Sequence, residues 1–183
     1  MARYFAFLRA INVGGHTVTK ETLRKLCESF GLSNVETFIA SGNLIFQSTD
    51  QAASALEQKI ASGLQRALGY EIATFIRSET ELAQIAGYQA FPQSERDKAA
   101  AFNIAFLSSP LDEMGKRKLM GLTSAIDSFV PHAREIYWLC CKKQSESTFS
   151  NALLERTLRV QSTLRGANTV HKLAARYGLD FTG

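Results

Sequence analysis

The chain has 183 residues, 45% of them hydrophobic and 21% charged, a composition that supports a proper core and excludes an extended disordered protein. No apolar run approaches the roughly 20 residues that span a bilayer, and Met1-Ala-Arg-Tyr-Phe carries no signal-peptide pattern, so a soluble cytoplasmic protein is expected. The net charge is +4, with 8 Lys/Arg against 8 Asp/Glu in residues 1–91 and 13 against 9 in residues 92–183. This weak basic excess permits an anionic partner without requiring one.

Tyr4–Ile11 is aromatic and aliphatic almost without interruption, which predicts a strand covered on both faces. Asn12-Val13-Gly14-Gly15 breaks it. Thr19–Phe30 sets Leu23, Leu26, Cys27 and Phe30 on one stripe, so a helix follows, with Thr19 as its cap and Gly31 past its end. Val35–Ala40 and Leu44–Gln47 read as strands joined by a hairpin turn at Ser41-Gly42-Asn43. Asp50–Leu68 reads as a long amphipathic helix closed by Gly69, and Ile72–Ile76 as one more strand.

A short helix at Glu79–Ala86 precedes a polar stretch that holds Pro92 and marks a boundary. The pattern then begins again. Ala100–Leu107 is a strand, Asp112–Leu122 a helix, and Ile126–Val130 and Ile136–Cys141 a hairpin around Pro131-His132-Ala133-Arg134. Thr148–Val160 is a second long helix, residues 163–167 form a polar turn, and Asn168–Tyr177 is the last helix. The expected class is therefore α+β: two βαββα (ferredoxin-like) halves with antiparallel sheets, packed together, plus a C-terminal helix. Residues 1–87 form the first subdomain (βαββαβ), 88–98 a linker and 99–183 the second subdomain.

The three cysteines, Cys27, Cys140 and Cys141, are odd in number and set in apolar stretches, unlike a secreted disulfide framework. No paired zinc-type ligands, GxGxxG or GxxxxGK[ST] occurs, so neither a metal nor another cofactor is expected. His16, His132 and His171 are scattered, and no nucleophile-and-base constellation is evident.

In a βαββαβ sheet the third strand lies between the first and second. The end of the first strand therefore meets the start of the third, bringing Arg9, Asn12, Gly14 and Gly15 beside Ser41, Gly42 and Asn43. The glycines permit positive φ and exposed N–H groups, while the guanidinium and short polar arms suit a carboxylate, a phosphate or a sugar hydroxyl. Tight turns demand the same residues, so a purely structural reading stands beside this one. Arg165, Asn168 and Thr169, with Asn168 or Thr169 capping the last helix, form a third polar element that could face the same corner.

Three motifs carry a resemblance: Leu8-Arg9-Ala10-Ile11-Asn12-Val13-Gly14-Gly15, Ser41-Gly42-Asn43-Leu44-Ile45-Phe46, and Thr163-x-Arg165-x-x-Asn168-Thr169-Val170-x-Lys172-Leu173. Together they resemble the bacterial domain-of-unknown-function 1697 family over nearly the whole chain. Gly166 and Ala167 stand where that family has an Asn and a Trp. The resemblance implies a paired α+β architecture and no activity.

The leading functional reading is a protein that binds a small molecule or anion. A second is a nucleic-acid binder using the basic C-terminal half, including Lys116-Arg117-Lys118 and Lys142-Lys143. A third is an interaction or oligomerisation module that recruits partners at unpaired sheet edges.

Overall fold

The computed structural model describes residues 1–50 and 52–180, and of Ser41 the backbone alone. The chain divides into two compact units, Met1–Ala83 and Gln84–Gly183. The first contains β1 (Ala2–Leu8), α1 (Lys20–Ser29), β2 (Ser33–Phe38), β3 (Ala40–Ser48), α2 (Ala53–Leu68) and β4 (Thr74–Ser78). Its sheet is antiparallel in the order β2-β3-β1-β4. β1 is central and buried from Tyr4 to Leu8, as its unbroken apolar run requires. Tyr4, Ala6 and Leu8 join Leu44 and Phe46 under Leu23, Leu56 and Ile60 of the two helices. Thr19 caps α1 by accepting from Thr22 N–H, and Gly69 closes α2 at φ 85°. α2 begins at Ala53, later than the Asp50 expected from sequence, because no side chain caps its first turn.

The hairpin turn differs from the expectation. It lies at Ile39, with Phe38 paired to Ala40, while Ser41, Gly42 and Asn43 are already in β3. Thr37 pairs with Leu44 and Phe38 with Ala40, so the register jumps there and residues 41–43 form a bulge. A Ser-Gly-Asn run serves a bulge as well as a turn, since both need a backbone that departs from the ladder. Ile39 takes φ 62° and is 59% exposed. A β-branched residue pays about 1–2 kcal/mol for that conformation, and no buried contact returns it. Ile39→Gly should therefore raise stability by about 1 kcal/mol, read as a higher urea midpoint at unchanged m-value.

The second unit begins within α3 (Glu79–Gly87) and continues through α4 (Gln93–Arg96), β5 (Ala101–Leu107), α5 (Glu113–Met120), β6 (Asp127–His132) and β7 (Glu135–Cys140). Then come α6 (Asn151–Leu158), β8 (Ser162–Gly166) and α7 (Ala167–Arg176). Its sheet order, β6-β7-β5-β8, repeats that of the first. Asp112 and Ser150 cap α5 and α6, which start later or end sooner than their apolar patterns implied. The β6–β7 turn is Ala133-Arg134 alone, since Pro131 and His132 belong to β6 and His132 pairs with Glu135. β6 is an edge strand, where proline's missing N–H costs no ladder bond.

Sequence reading took residues 163–167 for a polar turn, whereas Ser162–Gly166 is a fourth strand, β8, paired to β5. Its polar residues are carried by burial and pairing: Ser162 and Thr163 are at most 5% exposed, and Asn151 accepts from the Ser162 hydroxyl at 2.7 Å. The expected cap on the last helix is also absent. Gly166 is the N-cap of α7, no side chain bonds there, and Asn168 and Thr169 lie inside its first turn.

Three amides on the outer strands β4 and β8 are taken by carboxylates of the same unit. Glu57 of α2 accepts from Ile76 N–H at 2.8 Å, and Glu155 of α6 accepts from Ser162 N–H at 2.8 Å. Ser78 and Glu81 exchange bonds of 2.9 and 3.2 Å in a capping box that turns β4 into α3. Arg77 pairs in register with Phe5 and Arg165 with Ile104, the fourth residue of β1 and of β5 respectively. Each arginine donates Nη1 to the carbonyl of the residue before it at 2.8 Å.

Beneath the second sheet, Asp127 is 2% exposed and accepts from Trp138 Nε1–H at 2.8 Å, Ser147 Oγ–H at 2.8 Å and Ser124 Oγ–H at 3.0 Å. Burial alone would raise its carboxyl. The bonds from Ser147, Trp138, Ser124 and Cys140 more than offset that and hold it below the ordinary range. Cys27 is buried and its thiol is pushed up to about 12 by desolvation, so it packs as an apolar side chain.

Candidate functional site

The first unit brings two of the three sequence motifs together. Phe7 pairs with Asn43, so the end of β1 and the bulge of β3 share one edge of the sheet. Arg9 continues the ladder through a 2.8 Å bond from its N–H to the Ala73 carbonyl, and Ala10 then takes φ 60°. This left-handed step swings the chain off the sheet into an exposed loop that ends at α1.

The loop is built, and its ties are specific. Asn12 Oδ1 accepts from Val18 N–H at 2.7 Å, which closes it across six residues. Tyr70, just after α2, donates its hydroxyl to the Ile11 carbonyl at 2.7 Å and stacks on His16 at 4.1 Å. Gly14 and Gly15 sit at φ 62° and 83°, as the sequence required. Lys20 Nζ reaches the Ile39 carbonyl at 3.3 Å, tying the start of α1 to the β2–β3 turn.

Among the residues singled out from sequence, Arg9 is half-buried, while Asn12, Gly14 and Gly15 are exposed. Asn43 is 2% exposed and donates to the Phe38 carbonyl at 3.1 Å, so this side chain fixes the bulge. Gly42 lies in the same bulge, and the Ser41 side chain falls outside the described residues. Asn12 and Asn43 thus serve to shape the edge. What remains open to solvent is the 12–17 backbone, His16, Lys20 and the apolar Val13 and Ile39, 51% and 59% exposed.

Charge at this edge has one sign along two segments. Residues 9–20 and 37–49 contain Arg9, His16 and Lys20 and no Asp or Glu. Glu71 arrives separately, on the α2–β4 connection. Sequence reading missed Tyr70, Lys20 and Ile39, because what joins them to the loop is tertiary. Only the Gly69-Tyr70 pairing at a helix end hints that an aromatic side chain turns back there.

Arg165, Asn168 and Thr169 belong to the second unit. Arg165 is on β8, where Nη1 donates to Thr163 Oγ1 and the Leu164 carbonyl, both at 2.8 Å, and burial pushes its guanidinium down to about 10. In the same unit His171 is lowered by burial, partly countered by its bond with the Ala86 backbone, and lowered further by Arg96. A histidine depressed in the folded state contributes stability above its unfolded value, near 6.5, and loses it as pH falls through the folded value. Unfolding free energy should therefore decline on acidification below about pH 6.5, with a shallower decline in His171→Gln measured by urea titrations at several pH values.

The family model described as a protein of unknown function, DUF1697, matches residues 1–137, which hold the whole edge just described. The chain belongs to the DUF1697 family. Among solved structures, this DUF1697 chain is similar to the conserved bacterial protein SP0830 from Streptococcus pneumoniae. The two are 24% identical, the match covers 95% of this chain and 97% of that one, and the TM-score is 0.75, a likeness of fold. No curated protein matches the chain.

Phe5, Phe7, Phe46 and Phe75 are each at most 1% exposed. Among the described residues, no helix is long and apolar enough to cross a membrane.

Proposed function

We propose that the Arg9–Lys20 loop and the β2–β3 turn form the binding site for a small anion. The observation that carries this reading is the absence of any carboxylate from residues 9–20 and 37–49, where Arg9, His16 and Lys20 stand. Backbone N–H groups around the two positive-φ glycines add donors that need no side-chain ordering. Tyr70 and Asn12 hold the loop before a ligand arrives, so little entropy is lost on binding. Val13 and Ile39 flank the cations with apolar surface, which favours an anion bearing some carbon over a bare inorganic ion.

Inorganic phosphate, acetate and benzoate titrated into labelled protein test it. Saturable shifts are expected at the Gly14, Gly15 and His16 amides, weakened roughly fivefold in Lys20→Ala and in Arg9→Gln. Flat titrations with all three anions, or equal affinity in both variants, would overturn the reading.

The matching strand orders and the equivalent Arg77 and Arg165 support a further reading of the two units as duplicated ferredoxin-like halves.

A further inference from the structure

In the second unit, the end of the sheet where β5 runs into α5 and β6 turns into β7 holds a recess of about 200 Å³. Its wall is Pro110, Leu111, Pro131 and Ala133, and its polar groups are Lys116 and His132. The His132 ring is stacked on Tyr88 with centroids 3.8 Å apart and planes 9° from parallel. Tyr88 packs in turn against Tyr137 at 5.1 Å, and the buried Tyr137 donates its hydroxyl to the Ile85 carbonyl at 3.2 Å. The imidazole plane is thus fixed by a chain of rings anchored in the core, the kind of support a binding group needs.

Lys116 is held more loosely. Its partner is Glu113, at 2.8 Å on the same helix, with both side chains exposed. Exposed helical pairs of this kind are among the weakest ionic contacts in proteins, so the ammonium turns to a ligand at little cost. Two other carboxylates stand near: Asp112 is committed to Gly115 N–H at 2.6 Å as the cap of α5, and Glu135, paired in register with His132, is 3% exposed and turned away from solvent.

We propose that the recess is a site for a small carboxylate with a compact apolar body. Its charged end meets Lys116 and His132, and its carbon skeleton lies against the prolines and Leu111. Size sets the class. The volume falls below the roughly 300 Å³ at which drug-sized pockets begin, and amounts to about six or seven waters at ~30 Å³ each. One amine and one imidazole are few donors for a phosphate, which calls for many, and suit a single carboxylate instead.

Benzoate and the uncharged benzamide, each titrated into labelled protein, provide the test. Benzoate is expected to shift the His132 ring, the Ala133 amide and Lys116 saturably, and benzamide to do so more weakly. Lys116→Ala, an exposed position whose loss leaves the rest of the spectrum in place, should weaken benzoate roughly fivefold. The proposal fails if no saturable shift appears at these residues, if benzamide binds as well as benzoate, or if Lys116→Ala leaves the affinity unchanged. It uses none of the residues of the Arg9–Lys20 edge, whose Gly14 and Gly15 signals report separately in the same titration.

Discussion

Asp127→Ala should lower the unfolding free energy by about 3 kcal/mol, because it removes an acceptor from three donors at once, the buried Trp138 indole, the half-buried Ser147 and the exposed Ser124. Trp138 is 0% exposed, so its indole N–H would be left without water and without a partner. Such an orphaned donor costs about 1–3 kcal/mol, and bonds to a charged group contribute about 1.5–3 each before desolvation is set against them. The side chain also anchors the segment after β7 through Ser147, whose hydroxyl in turn accepts from Phe149 N–H at 2.9 Å. Phe149 packs on Phe129 and Trp138, both at 4.6 Å, so the loss spreads into the aromatic centre of the unit. Asp127→Asn keeps the shape and one carbonyl acceptor and should lose about half as much. Equilibrium urea unfolding of both variants gives the comparison, and an alanine variant within about 0.5 kcal/mol of wild type would refute the anchoring role.

The same carboxylate makes acid stability testable. Its pKa is depressed in the folded state, so its contribution is present above the unfolded value near 3.9 and disappears as pH falls through the folded value. Wild-type protein should lose stability below about pH 4, and Asp127→Asn should lose less over the same interval.

Tyr70→Ala is expected to cost about 2–3 kcal/mol, near the lower end of aromatic truncations because the ring is only partly buried. It removes packing against the first core, the 2.7 Å bond to the Ile11 carbonyl and the stack on His16. Tyr70→Phe isolates the hydroxyl and should cost about 1 kcal/mol. The consequence for the site is larger than for the fold. With its tether gone the 12–17 loop samples many conformations, so its amides should exchange faster and anion titrations there should weaken in both variants. Unchanged exchange at Gly14 and Gly15 in Tyr70→Ala would show that Asn12 alone holds the loop.

Sequence periodicity revealed the layout because most elements declare themselves locally. β1 is an unbroken apolar run, α1 is capped by Thr19, and α2 ends at a glycine in the left-handed region. The meeting of β1 with β3 also followed from topology, since a strand order of this kind leaves one way for the chain to return. β8 escaped because an edge strand of Ser, Thr, Leu, Arg and Gly has one apolar side chain and borrows its stability from β5 and from Asn151 and Glu155. The turn at Ile39 escaped for the opposite reason. Local rules forbid a β-branched residue there, so Ser41-Gly42-Asn43 was the better candidate until register placed it inside a strand. Within the candidate site, Asn12 and Asn43 stand out in sequence as binding residues, whereas their bonds shape the backbone, and further contacts that organise the edge come from Tyr70 and Lys20.

Glu57, Glu81 and Glu155 have a consequence for how copies of this chain meet one another. An incoming extended peptide gains its first hold on a protein by taking up unused main-chain donors along a sheet margin. At Ile76 and Ser78 of β4 and at Ser162 of β8 those donors already grip carboxylates carried on helices of the same unit, so a newcomer there must first evict a charged group. Proline at position 131 leaves the β6 margin one donor short by a different route. Strand addition is thereby hindered at these positions on three of the four outer strands.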